Sequence, residues 1–292
     1  VNLRRCRLCG GSEFQDVLSL GWQHLTGIFP KSENLASLPG GNLKLIRCTQ
    51  EGGCGLVQLD QSFDPDLMYG ENYGYRSGLN PSMVEHLRRR VLGITSSNNL
   101  HLGDLVVDIG SNDGTSLSFY PDHLTRIGID PTSSKFSAHY APGILAIPEF
   151  FSADALLRAT NGKKAKVITA FSMMYDLEDP SSFVRDVALA LDPSGIFVFE
   201  QSYLPLMLAR TAFDTICHEH IEYYGLRQIE WMLDRANLQV IDVEVNDVNG
   251  GSFAVSAALR GSRPVSSAVT ELRQHESSLW LNAERTFSDS KP

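Results

Sequence analysis

The sequence predicts an α/β protein in which a doubly wound, mostly parallel sheet follows a small N-terminal metal-binding module. Three observations carry that prediction. From Leu105 onward, short apolar strands alternate with helical stretches over about 150 residues, the pattern of a parallel sheet with helices on both faces. Four of the five cysteines crowd into two clusters near the start. A glycine-containing turn, Gly110-Ser111-Asn112-Asp113-Gly114, directly follows the first strand of the alternating region.

The cysteine clusters are Cys6-x-x-Cys9 and Cys48-x5-Cys54. Two such pairs suit one tetrahedral Zn²⁺ held by four thiolates. Gly10-Gly11 follows the first pair, and Gly52-Gly53 with Gly55 surround the second, allowing the tight backbone that sulfur ligation needs. Strands are expected at 43–46 and 56–59. No histidine or carboxylate enters the ligand set, so the zinc site is expected to be structural and closed. The alternatives are two disulfides or four reduced thiols, and disulfides need an oxidising compartment for which the chain offers no address. Residues 61–80 form a Tyr/Gly/Ser-rich connector containing Tyr69, Tyr73 and Tyr75. The expected division is a zinc module with connector at 1–80 and the sheet domain at 81–292.

Helical spacing of Met83, Leu87, Val91 and Leu92 predicts a helix over 81–98, ended by Ser96-Ser97-Asn98-Asn99. Strands are predicted at 105–109, 126–129, 167–170 and 196–200, with a closing hairpin of 238–245 and 252–259 around Asn249-Gly250-Gly251. Helices are predicted at 115–120, 133–139, 181–191, 226–236 and 265–285.

The 292 residues are 42% hydrophobic, with 25 basic and 34 acidic side chains and a net charge of −9, which excludes wholesale disorder. That balance argues against nucleic acid as the partner. The densest basic cluster, Arg88-Arg89-Arg90, reads as a solvated helix face. No apolar run approaches the roughly 18–20 residues that span a bilayer, and the first residues lack a signal-type apolar stretch. A cytoplasmic location is expected.

A dinucleotide site wants G-x-G-x-x-G with bare amides facing a pyrophosphate. Here Asn112 takes the middle glycine position and Asp113 brings negative charge, so phosphate is disfavoured. Asp108 is suited to attract an ammonium group. Asp130, 22 residues further on and followed by Pro131, is placed to accept ribose hydroxyls. Glu149-Phe150-Phe151 fits the end of the next strand, where aromatic faces can sandwich a purine. Together these residues point to S-adenosylmethionine (SAM), bound by Asp108, Gly110, Ser111, Asn112 and Gly114. A packing turn in another α/β enzyme is the alternative.

Beyond the strand ending at Glu200 lies the densest polar and aromatic cluster, Cys217-His218-Glu219-His220-Ile221-Glu222-Tyr223-Tyr224. In an extended chain His218 and His220 share one face and Glu219 takes the other. Acid–base chemistry, metal binding and a structural role all remain open for this set.

The chain resembles the sugar C-methyltransferases that act at C-3 of nucleotide-linked 4-keto-deoxysugars. The motifs that carry the resemblance are the four-cysteine module with Cys54-Gly55-Leu56-Val57-Gln58-Leu59, Tyr73-x-Tyr75-x-Ser77-Gly78, the glycine turn, His-Glu-His before Tyr-Tyr, and Asn249-Gly250-Gly251-Ser252. It implies a class I SAM methyltransferase fold, Rossmann-like with a seven-stranded sheet. It further implies His220 as the base removing the proton α to the ketone, Glu219 orienting or polarising the site, and Tyr73 or Tyr75 lining the sugar pocket. Independently, carbon becomes a nucleophile towards a sulfonium methyl only once an enolate forms, so a base and a donor to the oxygen are needed. His218 is our candidate donor.

Many members have tyrosine at Cys217, and the fourth-strand exit often carries Asn and His where Ser172 and Asp176 align. Those differences imply a divergent branch with a changed acceptor pocket. Relatives also continue into a third domain, whereas this sequence stops at Pro292, so either the chain was cut or the acceptor is held differently. The expected partner is a small keto acceptor. The rivals are methylation, at C or O, of another keto metabolite or carrier-bound chain, and a non-catalytic SAM- and zinc-binding module.

Overall fold

The computed structural model describes residues 3–26, 39–64, 68 and 74–280. Strands β1 (Phe14–His24), β2 (Gly40–Cys48) and β3 (Val57–Leu59) form an antiparallel sheet that carries the four cysteines at its turns. Strand β1 was not legible in the sequence, because two register irregularities break its pairing with β2 and most of its residues face water.

Helix α1 (Pro81–Ser97) follows the connector. Asn80 caps it, accepting from the amides of Ser82 and Met83, and Pro81 opens it with a preset φ. Its buried face is His86, Leu87, Val91 and Ile94, whereas Leu92 is exposed. The Arg88–Arg90 cluster is not one solvated face. Arg90 pairs with buried Glu200 at 2.8 Å and with Glu244 at 2.6 Å, and His86 reaches the same Glu200 at 2.5 Å.

The second sheet takes β4 (Leu105–Ile109), β5 (Thr125–Ile129), β6 (Ile144–Ile147), β7 (Ala165–Phe171), β8 (Leu191–Ser202), β10 (Leu238–Asn246) and β11 (Ser252–Leu259). Their spatial order is β10-β11-β8-β7-β4-β5-β6, with β4 to β8 parallel and β11 antiparallel to both of its neighbours. All of β4 is buried, as a central parallel strand covered on both faces must be. This is the class I SAM methyltransferase sheet, mostly parallel, with the hairpin reversing its last strand. Helices α2 (Ala153–Ala159), α3 (Pro180–Ala190), α4 (Leu204–Ala209), α5 (Leu226–Arg235) and α6 (Ser267–Trp280) complete the layers.

Two expected helices are replaced by 3₁₀ turns: Leu117–Phe119, then Pro131–Ser134 with Ser137–His139. Each segment is short and is followed closely by a proline, Pro121 or Pro142, so tight i→i+3 turns suffice where an α-helix could not nucleate. Helix α2, capped by Ser152, was not anticipated.

The two sheets are stitched together beside the His-Glu-His segment. The short strand β9 (Glu222–Tyr223) leaves the larger unit to pair with β3 in the module's sheet. Ile221 donates its amide to Tyr175 at 2.9 Å, and its carbonyl accepts from Leu59 at 2.9 Å. Among the described residues, no helix is long and apolar enough to cross a membrane.

Candidate active site

One cavity of about 680 Å³, well within the range for ligand sites, lies over the carboxyl ends of the parallel strands. Gly110, Ser111 and Asn112 of the glycine turn line it, and so do Glu219 and His220. Asp108, Asp130, Pro131, Phe150, Phe151, Ser172 and Tyr75 also face it.

The turn after β4 needs Gly110 at φ 68°, and a side chain there would press on Met173 at about 3.1 Å. Gly114, at φ 76°, packs against the Tyr140 ring and is not part of the lining. Asp108 is buried, and its two oxygens accept from the hydroxyls of Ser116 and, at 2.5 Å, Thr169. Burial pushes its carboxyl up to about 6, against the opposing pull of those two hydrogen bonds. Asp130 accepts from the Asn112 amide at 2.8 Å and from the amide and hydroxyl of Thr132 at 2.6 Å. The carboxylate expected to meet ribose hydroxyls thus also fixes the glycine turn. Asp113 turns away from the cavity. It accepts from the Gly78 amide at 2.9 Å and lies 3.5 Å from Arg76, so it clamps the connector instead of repelling phosphate. Glu149 lies outside the lining, 4.0 Å from Arg158. Tyr73 lies outside the described residues.

The histidines part company. Residues 213–220 bend instead of extending, so His218 and His220 do not share a face. His218 is 1% exposed, faces the module, accepts from the Thr26 amide at 3.4 Å, lies 3.2 Å from the Gly41 carbonyl and meets Phe63 edge-on. It is therefore not placed as a donor in the cavity. His220 Nδ1 lies 2.9 Å from the Thr215 carbonyl, which accepts only if Nδ1 carries the proton; Nε2 then keeps its lone pair. Burial lowers its pKa, opposed by that hydrogen bond, so the imidazole is neutral at pH 7. Burial raises the Glu219 carboxyl, whose Oε1 is shut from solvent without a hydrogen-bond partner. Tyr175, whose ring lies 4.1 Å from that of His220, also lines the cavity. Sequence reading passed over Tyr175 and Thr215, because both reach His220 only through the fold.

In the module the sulfurs of Cys6, Cys9, Cys48 and Cys54 lie within 4.8 Å of one another. The Cys6–Cys54 and Cys9–Cys48 pairs are each 3.5 Å apart, near the separation a tetrahedral zinc imposes. Gln58 donates to Cys6 at 3.2 Å and the Leu56 amide to Cys54 at 3.5 Å, an outer shell suited to thiolates. The donor set fits one structural Zn²⁺, with all four positions taken by sulfur.

Comparison with known proteins agrees with both halves. Residues 6–69 match the family model "Putative zinc binding domain" and residues 83–243 match "Methyltransferase domain". The C-methyltransferase NovU of Streptomyces niveus is 31% identical over 280 residues, covering 94% of this chain. The chain spans 65% of that relative's length. An O-methyltransferase family protein from Burkholderia thailandensis superposes with a TM-score of 0.48 at 17% identity, over 69% of this chain and 64% of that one. An S-adenosylmethionine-dependent methyltransferase from Clostridium acetobutylicum gives 0.45 at 14%, over 61% and 92%. With more than half of its residues in the matched domain and its strands in the class I order, this chain belongs to the methyltransferase family and carries a SAM-dependent methyltransferase fold.

Proposed function

We propose that the protein methylates a carbon α to a ketone, with a nucleotide-activated 4-keto-deoxysugar as acceptor and His220 as the base. The observation that carries this reading is that the glycine turn and the His220 imidazole open onto one cavity, with Nδ1 tied to Thr215. When bound, SAM supplies an electrophilic methyl group. The residues around Gly110, Asn112 and Asp130 would hold it, and Phe150 and Phe151 would offer aromatic faces to its purine.

His220 Nε2 takes the α proton, and the C–H electron pair becomes the enolate that attacks as a carbon nucleophile. Glu219, raised by burial and lacking a partner on Oε1, polarises the ketone oxygen. Tyr75, which lines the cavity, is assigned to the acceptor. The name of the NovU relative supports transfer to carbon.

Product NMR tests the reading: a new C–CH₃ signal is expected, and an O–CH₃ signal refutes it. His220→Asn should keep SAM affinity by calorimetry and lose turnover by about 10²–10⁴-fold. Near-normal turnover would remove His220 from the base role.

A further inference from the structure

The turn Cys217-His218-Glu219-His220 repeats the local geometry of the N-terminal cysteine pair. In Cys6-x-x-Cys9, backbone amides of Cys9 and Leu8, three and two residues on, point at the Cys6 sulfur. In Cys217-x-x-His220, the amides of His220 and Glu219, again three and two residues on, point at the Cys217 sulfur. Those amides fold the turn so that residue i+3 can face the same ion, and they partly oppose the burial that pushes the Cys217 thiol up to about 11.

The donor atoms of Cys217, Glu219 and His220 lie within 4.8 Å of one another, the spacing that the four module cysteines also meet. Glu219 Oε1 is enclosed and unpartnered. The Thr215 carbonyl accepts a hydrogen bond from Nδ1–H of His220 at 2.9 Å, the outer-shell bond that orients a metal-binding imidazole. One sulfur, one nitrogen and one oxygen donor suit zinc, and three protein ligands leave a fourth position free.

We propose that Cys217, Glu219 and His220 form a second, exchangeable zinc-type site, which competes for the lone pair that His220 uses as a base. On loading, the Cys217 S–H bond breaks, its proton passes to solvent and the sulfur lone pair binds the ion, with no change of oxidation state. The site stands without the methyl-transfer reading; only the inhibition it implies rests on that reading.

The test is a Co²⁺ titration of the full chain already holding one structural zinc. A second equivalent should bind with a thiolate-to-cobalt charge-transfer band. Cys217→Ser should abolish that band and weaken Co²⁺ at least tenfold, while SAM binding by calorimetry shows the variant to be folded. Glu219→Gln should weaken Co²⁺ as well. Uptake that stops at one metal per chain, or a second equivalent whose spectrum Cys217→Ser leaves unchanged, overturns the site. Added Zn²⁺ should suppress methyl transfer as the second equivalent fills, and unchanged transfer at full occupancy overturns the competition. A chain that fills the site normally yet never transfers methyl supports the site and refutes the function proposed above.

Discussion

Asp108 sits at the end of the central strand with almost no exposure, both oxygens occupied by hydroxyls. Its carboxyl, raised from an ordinary 3.8 to about 6, binds its proton more tightly in the folded chain than in the unfolded one. Stability from this group is therefore complete below about pH 4 and is lost as pH rises through 6, by about 3 kcal/mol. The difference in unfolding free energy between the native chain and Asp108→Asn, measured in urea across that window, should move in the variant's favour. A flat difference would show that the carboxyl is not raised.

The same scale explains the His-Glu-His segment. Its chemistry was legible as three titratable groups in a row, yet strand-like alternation would have paired the two histidines. The bend at 213–220 sends His218 against Phe63 and His220 against Tyr175 instead. A sequence period cannot register a bend held by the hydrogen bonds that join His218 to Thr26 and Gly41 and His220 to Thr215.

Helix α5 shows how an element near the site is held. Gly225 supplies no side-chain cap, and Glu276 of α6 accepts from the amides of Leu226 at 2.6 Å and Arg227 at 3.1 Å, and from the Tyr203 hydroxyl at 2.8 Å. A buried anion at a helix N-terminus meets both the free amides and the macrodipole. At the same end Gln228 donates to the Cys54 carbonyl at 3.0 Å, tying the helix to the metal module. Glu276→Ala strands these donors in a buried setting and should cost about 2–4 kcal/mol in urea unfolding. A loss below 0.5 kcal/mol would mean that water replaces the carboxylate. Helices with a clear apolar stripe, such as α1, were readable from spacing. The 3₁₀ turns after β4 and β5 were not, because the glycine turn and Asp130 fix them through contacts between strands.

Across the whole molecule, the zinc module meets the candidate site at the β3–β9 pairing and at the contacts of His218 with Thr26 and Gly41. Gln58 donates to the Cys6 sulfur and lies opposite Glu222 in the β3–β9 pair, two residues beyond His220. Chelating the zinc should loosen that pairing while the glycine turn, built on the parallel sheet, persists. Turnover is expected to fall at least tenfold, with SAM affinity by calorimetry within about threefold and hydrogen exchange faster at 221–223. Equal loss of SAM binding would show that the module supports the whole fold and not the His220 segment alone.

The sequence by itself determined the alternating strands and helices, the four-sulfur cluster and the glycine turn, because each depends on residues close together or on a regular apolar period. Tertiary structure alone decided that β9 crosses to the module's sheet, that Asp113 grips the connector, and that His220 rather than His218 faces the cavity. Those outcomes depend on hydrogen bonds between residues distant in sequence, from Gly78 to Asp113 in the connector to Leu59 and Ile221 across the two sheets, which leave no local signature in the chain.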